Sequence, residues 1–206
     1  MGSQRLLFIY NPHSGVGKVK TQLSDILEAM VQAGYEVTVH PTQAAGDAAQ
    51  VAAEHAGDYD LVVCCGGDGT LDETVSGLMK GNIHVPLGYI PAGSTNDFAA
   101  SLQLPKNMGK AAEVAVGGQD FPCDVGLFED EYFIYVAAFG LFTEVSYQTS
   151  QELKNMIGHA AYILEGVKSI GNHPSYRMRV EYEGGCIEDD FIYGMITNSL
   201  SVGGIK

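Results

Sequence analysis

The apolar run Asp60-Leu61-Val62-Val63-Cys64-Cys65 ends in Gly66-Gly67-Asp68-Gly69-Thr70, and a helical pattern, Leu71, Val75, Leu78 and Met79, opens directly behind it. A strand that ends in glycines and turns at once into a helix brings first-turn N–H groups without helical partners to the strand's carboxyl end. The peptide dipoles favour negative charge there, and glycine lets a bulky phosphate approach the main chain. An aspartate inside such a loop would repel a bare phosphate. Its presence points to metal-nucleotide chemistry, with Mg²⁺ or an ordered water in between, or to a carboxylate that orients a hydroxyl.

The same unit recurs. Arg5 to Tyr10 reads as a buried strand, followed by a helix whose apolar face carries Val19, Leu23, Ile26, Leu27, Met30 and Val31 and which closes at Gly34. Glu36 to His40 is the next strand, Asp47 to His55 the next helix, Val85 to Ile90 a further strand, and Asn96 to Leu102 and Met108 to Val116 are helical. Near-continuous apolar strands alternating with helices imply a parallel sheet covered on both faces. Beyond Gly117-Gly118 the character changes. Phe121 to Phe128 and Tyr132 to Phe139 read as strands and Ser150 to Ile170 as a helix; Tyr176 to Glu183 is an alternating strand joined by a Gly184-Gly185 turn to one around Phe191 to Thr197. The expectation is an α/β chain: a three-layer parallel-sheet nucleotide-binding domain over residues 1–121, then an incomplete, mainly antiparallel β domain over 122–206.

A formal net charge of −14 over 206 residues argues against a nucleic-acid partner, which needs a basic surface. The longest apolar stretch, Tyr132 to Phe142, is too short to span a bilayer, so membrane contact is expected to be peripheral and the protein cytoplasmic. No signal peptide is visible at the start of the chain. Cys64, Cys65, Cys123 and Cys186 lack metal-type spacing and read as reduced core residues, the first two pointing to opposite faces of their strand.

Two further strand-to-helix junctions share the carboxyl edge of the sheet, where α/β ligands bind. Asn11-Pro12-His13-Ser14-Gly15-Val16-Gly17-Lys18 is neither a P-loop, with Val19 where the metal-binding hydroxyl belongs, nor a dinucleotide fingerprint, with Lys20 where a third glycine belongs. Ile90-Pro91-Ala92-Gly93-Ser94-Thr95-Asn96-Asp97-Phe98 places hydroxyls and an amide at a helix start, a pattern that helix capping also explains. Taken together, the three loops resemble a nucleotide site more than three separate caps.

Asn11-Pro12-x-Ser14-Gly15, Gly66 to Leu71 with Glu73, and Pro91-x-Gly93-Ser94-Thr95-Asn96-Asp97-Phe98-Ala99 resemble the diacylglycerol kinase catalytic-domain family, especially its soluble bacterial lipid kinases, relatives of sphingosine and ceramide kinases. Lys106 to Asp124, Tyr132 to Ser146 and Thr197-Asn198-Ser199 with Gly203-Gly204 fit the same order. Two departures are mild: Ser94 where threonine is usual, and Asp72 where asparagine or histidine is common.

The resemblance implies an ATP- and Mg²⁺-dependent kinase acting on a lipid hydroxyl at the membrane surface, with diacylglycerol converted to phosphatidic acid; a homodimer is compatible with it. Asn11, Pro12, His13, Ser14, Gly15 and the stretch Gly66, Gly67, Asp68, Gly69, Thr70, Leu71, Asp72 and Glu73 would then cradle the nucleotide. Lys18, Thr42, Ser94, Thr95 and Asn96 would add contacts, and Asp68, Asp97 and Asp124 would surround the metal and its waters. In the family an Asp-Asp-Gly segment beyond a Gly-Gly like Gly203-Gly204 carries the general base, so the expectation at this stage is a chain cut short of its base, with doubtful activity alone. The rival readings are an NAD-kinase-like phosphotransferase, which shares the Gly66–Thr70 motif, and a non-catalytic nucleotide-binding module.

The six histidines have no metal-type pairing. Arg177 and Arg179 share a strand face with Glu181 and Glu183 and read as solvated. Tyr132, Phe133, Tyr135, Phe139 and Phe142 read as core of the second domain, or as an acyl-chain cleft.

Overall fold

The computed structural model describes residues 3–140 and 174–199. The expected helix over 150–170, together with Phe142, Gly203 and Gly204, lies outside them. Two compact units emerge: Met1–Tyr135 with Thr197–Lys206, and Val136–Ile196.

The first unit is built on four parallel strands, β1 (Gln4–Tyr10), β2 (Tyr35–Pro41), β3 (Leu61–Gly66) and β4 (Leu87–Pro91), in the order β2-β1-β3-β4. Helix α1 (Lys18–Gln32) connects β1 to β2, α2 (Asp47–His55) connects β2 to β3, and α3 (Asp68–Lys80) connects β3 to β4. After β4 come the short α4 (Asp97–Ser101) and α5 (Met108–Gly117).

The alternation of β1 and β3 sorts their side chains into two cores. Leu6, Phe8, Tyr10, Leu61, Val63 and Cys65 pack with Val19, Ile26 and Met30 of α1 and Met108, Ala111 and Ala112 of α5. On the opposite face Leu7, Ile9 and Val62 meet Ala48, Val51 and Ala52 of α2, while Cys64 and Tyr89 meet Leu71 and Val75 of α3 and Phe98 of α4. Each fully buried Leu, Ile, Val, Phe or Met among them contributes about 1.5–3 kcal/mol. The three-layer parallel arrangement is the one expected. Two helix positions differ: Val31 is 60% exposed and Met79 42%, because each sits at the margin of its apolar stripe and turns to solvent.

The strands expected over Phe121–Phe128 and Tyr132–Phe139 are shorter: β5 (Gly126–Phe128), β6 (Glu131–Phe133) and β7 (Val136–Gly140), with β5 and β6 an antiparallel pair. β6, Ile134 and Tyr135 belong to the first unit. Ser76 donates to the Tyr132 carbonyl at 2.8 Å, the Ile134 N–H donates to Asp72 Oδ1 at 2.8 Å, and Ile134 joins the α3–α4 core. The aromatic run is therefore not one second-domain core.

In the second unit β8 (Tyr176–Tyr182) pairs antiparallel with β9 (Gly185–Phe191), and β7 pairs with β10 (Tyr193–Thr197). The hairpin partner of β8 is thus β9, not the strand at 193–197. Tyr182 faces Gly185, which leaves Glu183 and Gly184 as the turn, Gly184 at φ +101°. Arg177 pairs with Glu188 at 3.1 Å and Arg179 with Glu181 at 2.7 Å on an exposed charged face, as expected. Cys64 and Cys65 are buried on opposite faces, but Cys123 and Cys186 are exposed, Cys186 because its ribbon is solvated on both sides.

Candidate functional site

The order β2-β1-β3-β4 sends the chain from β1 towards α1 on one face and from β3 towards α3 on the other. The loops after these two adjacent strands therefore diverge and leave a crevice at the carboxyl edge. The loop after β4 closes one side of it.

Four contacts fasten the loops together. Asn11 N–H donates to the Cys65 carbonyl at 2.9 Å, and Asn11 Nδ2 reaches Thr70 Oγ1 at 3.5 Å. Gly15, at φ +60°, lies so near the loop after β4 that a Cβ there would sit 2.5 Å from the Ala92 carbonyl oxygen. A Cβ on Gly93 would stand 2.6 Å from Gly67 Cα. Glycines thus appear where main chain meets main chain, at separations no side chain allows.

Within the first loop His13 N–H donates to Asn11 Oδ1 at 2.9 Å and Ser14 N–H to the Asn11 carbonyl at 3.2 Å. Pro12 is half-buried, while His13 and Lys18, the first residue of α1, are exposed. Thr42 is buried after β2, its N–H donating to the Tyr10 carbonyl at 2.9 Å.

Gly66 closes β3 and Gly67 precedes α3 without a side-chain cap. The N–H groups of Thr70 and Leu71 both point to the Gly67 carbonyl at 3.1 Å, while those of Asp68 and Gly69 open the helix with no helical acceptor. In the third loop Asn96, at φ +52°, folds its amide back on Gly93: Gly93 N–H donates to Oδ1 at 2.7 Å and Nδ2 donates to the Gly93 carbonyl at 2.8 Å. Ser94 and Thr95 are exposed at its tip.

Asp68 and Asp97 come together. Asp68 Oδ2 accepts the Asp97 N–H at 3.3 Å and Oδ1 the Phe98 N–H at 3.4 Å. Burial pushes the Asp68 carboxyl above the ordinary carboxylate value, those two amides and its own N–H pull it part of the way back, and the neighbouring Asp97 charge adds to the rise. Asp97 is 3% exposed and its Oδ2 accepts the Tyr135 hydroxyl at 2.8 Å.

Other expected site residues stand apart from this group. Leu71 is 1% exposed in the core and Asp72 accepts Ile134 N–H, so these two side chains have structural partners. Glu73 is half-buried one step further along α3, and Asp124 is exposed, its carbonyl accepting Asn198 Nδ2. Among the described residues no group of three or more His, Cys, Asp or Glu side chains could hold a metal ion. The three expected carboxylates therefore do not form a protein cage. Glycine backbone, first-turn amides without helical acceptors and exposed hydroxyls fit a triphosphate, and a cation that keeps its waters and arrives on phosphate oxygens suits a donor set this sparse.

Sequence reasoning placed Tyr135 in the second domain's core or an acyl-chain cleft, and gave no site role to Asn198, Ser101 or Ser199. Ser101 Oγ lies 2.8 Å from Ser199 Oγ and donates to the Asp97 carbonyl at 3.0 Å. The signal available was Thr197-Asn198-Ser199, a polar triplet that ends an exposed strand.

Fold and rim define a doubly wound α/β domain with its ligand edge at the switch between β1 and β3. The chain belongs to the diacylglycerol kinase catalytic-domain family, a family of ATP-dependent lipid kinases, whose model matches residues 5–128. It is 38% identical over 205 residues to a diacylglycerol kinase of Bacillus subtilis (strain 168), covering 98% of this chain and 68% of the relative. To the Staphylococcus carnosus (strain TM300) diacylglycerol kinase it is 37% identical over 203 residues, covering 96% and 66%. A crystal structure of a diacylglycerol kinase from Bacillus anthracis str. Sterne superimposes with TM-score 0.77 at 28% identity, covering 100% of this chain and 68% of that one. The chain thus spans about two thirds of the length of these proteins.

Proposed function

We propose that this chain binds Mg-ATP on the rim formed by Asn11–Gly15, Gly66–Gly69 and Gly93–Thr95 and takes part in transfer of the γ-phosphate to a lipid hydroxyl, converting diacylglycerol to phosphatidic acid. The observation that carries this reading is the convergence of the three glycine loops, Gly15 against Ala92 and Gly67 against Gly93. Phosphoryl transfer asks a protein for alignment and charge stabilisation more than for covalent help. Backbone amides at the start of α3 would hold phosphate oxygens, and Lys18 would add positive charge. Magnesium, when bound, would neutralise charge on the phosphates. Asp68 and Asp97 would orient its waters, and Asp124 is a candidate for the same shell.

Among the described residues no helix is long and apolar enough to cross a membrane, so the lipid would be met at a membrane surface. The test is γ-labelled ATP with dioleoylglycerol in mixed micelles, and with NAD as a parallel acceptor. Labelled phosphatidic acid is the expected product. Label on NAD, or nucleotide binding with no transfer to either acceptor even by a form extended to the full length of the relatives, would replace the lipid-kinase reading.

A further inference from the structure

We infer that Tyr135 is a positioning residue for Asp97, an inference that rests on the kinase reading above and deepens it. The Tyr135 hydroxyl donates to Asp97 Oδ2 at 2.8 Å, a charge-assisted bond between residues 38 apart in sequence. Its backbone is held on both sides. The Tyr135 carbonyl accepts Thr197 Oγ1 at 3.1 Å and Asn198 N–H at 3.1 Å, while the preceding Ile134 is tied by its N–H to Asp72 and packed in the α3–α4 core. The hydroxyl therefore reaches Asp97 from a fixed base.

A buried carboxylate with one oxygen held by a rigid phenol has its plane set, and α4, which carries it, also offers the two amides that hold Asp68. The same return segment touches the other candidate carboxylate's main chain, because Asn198 Nδ2 donates to the Asp124 carbonyl. Residues 197–199 thus brace both Asp97 and Asp124, and Tyr135 is the arm that reaches a carboxylate.

Tyr135→Phe removes one oxygen and leaves the ring. With dioleoylglycerol micelles and Mg-ATP, kcat of the variant should fall about tenfold, the scale of one charge-assisted bond, while KM for ATP stays within about twofold. A purely structural tyrosine would instead lower the thermal midpoint and leave kcat per folded molecule unchanged, and that result overturns the inference. If the parent protein transfers no phosphate, the contact is judged separately by a thermal double-mutant cycle with Asp97→Ala. Non-additive shifts uphold the Tyr135–Asp97 link; additive ones remove it.

Discussion

The Asp68 carboxylate accepts the backbone N–H of Asp97 at 3.3 Å, so the first residue of α3 caps a helix that begins 29 positions later. Asn96, which precedes α4, cannot do so, since its side chain is engaged with Gly93 and its backbone is left-handed. The second and third loops are thereby joined by a charged group as well as by their touching glycines. A carboxylate at a helix start is favoured by the dipole, and here the same group faces the proposed phosphate rim.

Asp68→Asn should abolish phosphate transfer in the active protein while leaving the fold intact. The amide oxygen can still accept from one α4 N–H, so the thermal midpoint and circular dichroism should stay close to the parent's. Near-normal turnover would mean that the carboxylate is a cap only.

Gly93→Ala and Gly69→Ala should separate stability from binding. A methyl at Gly93 would meet Gly67 Cα at 2.6 Å and Asn96 Oδ1 at 2.8 Å, so the loops must part, at a cost of about 1–3 kcal/mol. A methyl at Gly69 meets nothing within 4 Å and stands at the open helix start. Denaturant melts should show the loss for Gly93→Ala alone, whereas titration with Mg-ATP should show weaker binding for both. Unweakened binding in Gly69→Ala would move the phosphates off the α3 amides.

The sheet was legible because β3 and the last five residues of β1 are apolar and buried and the helices between them keep a clear stripe. Residues at the stripe's edge were not: Val31 and Met79 are apolar by type but point to water. β9 was missed since Glu188, Asp189 and Asp190 look like a loop, and only a ribbon exposed on both faces tolerates them in a strand. At the site, local motifs marked all three loops. The Tyr135–Asp97 contact and the return of residues 197–199 were invisible because no local pattern records who meets whom after a long excursion of the chain.

Cysteine labelling should divide the four thiols into two pairs. Cys64 and Cys65 are buried, and burial pushes the Cys64 thiol up to about 12; Cys123 and Cys186 are exposed. A thiol must ionise to react, so iodoacetamide under native conditions should modify Cys186 first and then Cys123, whose thiol is raised by partial burial and the charge of Asp124. Peptide mapping should find Cys64 and Cys65 modified only after unfolding. Native labelling of either would mean that β3 opens.

Asp72→Asn should change how stability responds to pH. Burial raises the Asp72 carboxyl from its ordinary value of 3.8, aided by the charges of Asp68, Glu73 and Glu131 and opposed by its bond from Ile134 N–H. A carboxyl with a higher pKa folded than unfolded keeps its proton longer in the fold. As pH rises from about 3.8 through the raised value, the unfolded chain releases that proton first, and the native state loses relative stability. Asparagine cannot titrate and can still accept from Ile134, so the variant should gain on the parent as pH is raised from 3.8 towards neutrality. Denaturant melts across that range check the sign. A variant that becomes progressively worse than the parent would show that the Asp72 charge stabilises the fold and that its bond to Ile134 outweighs its desolvation.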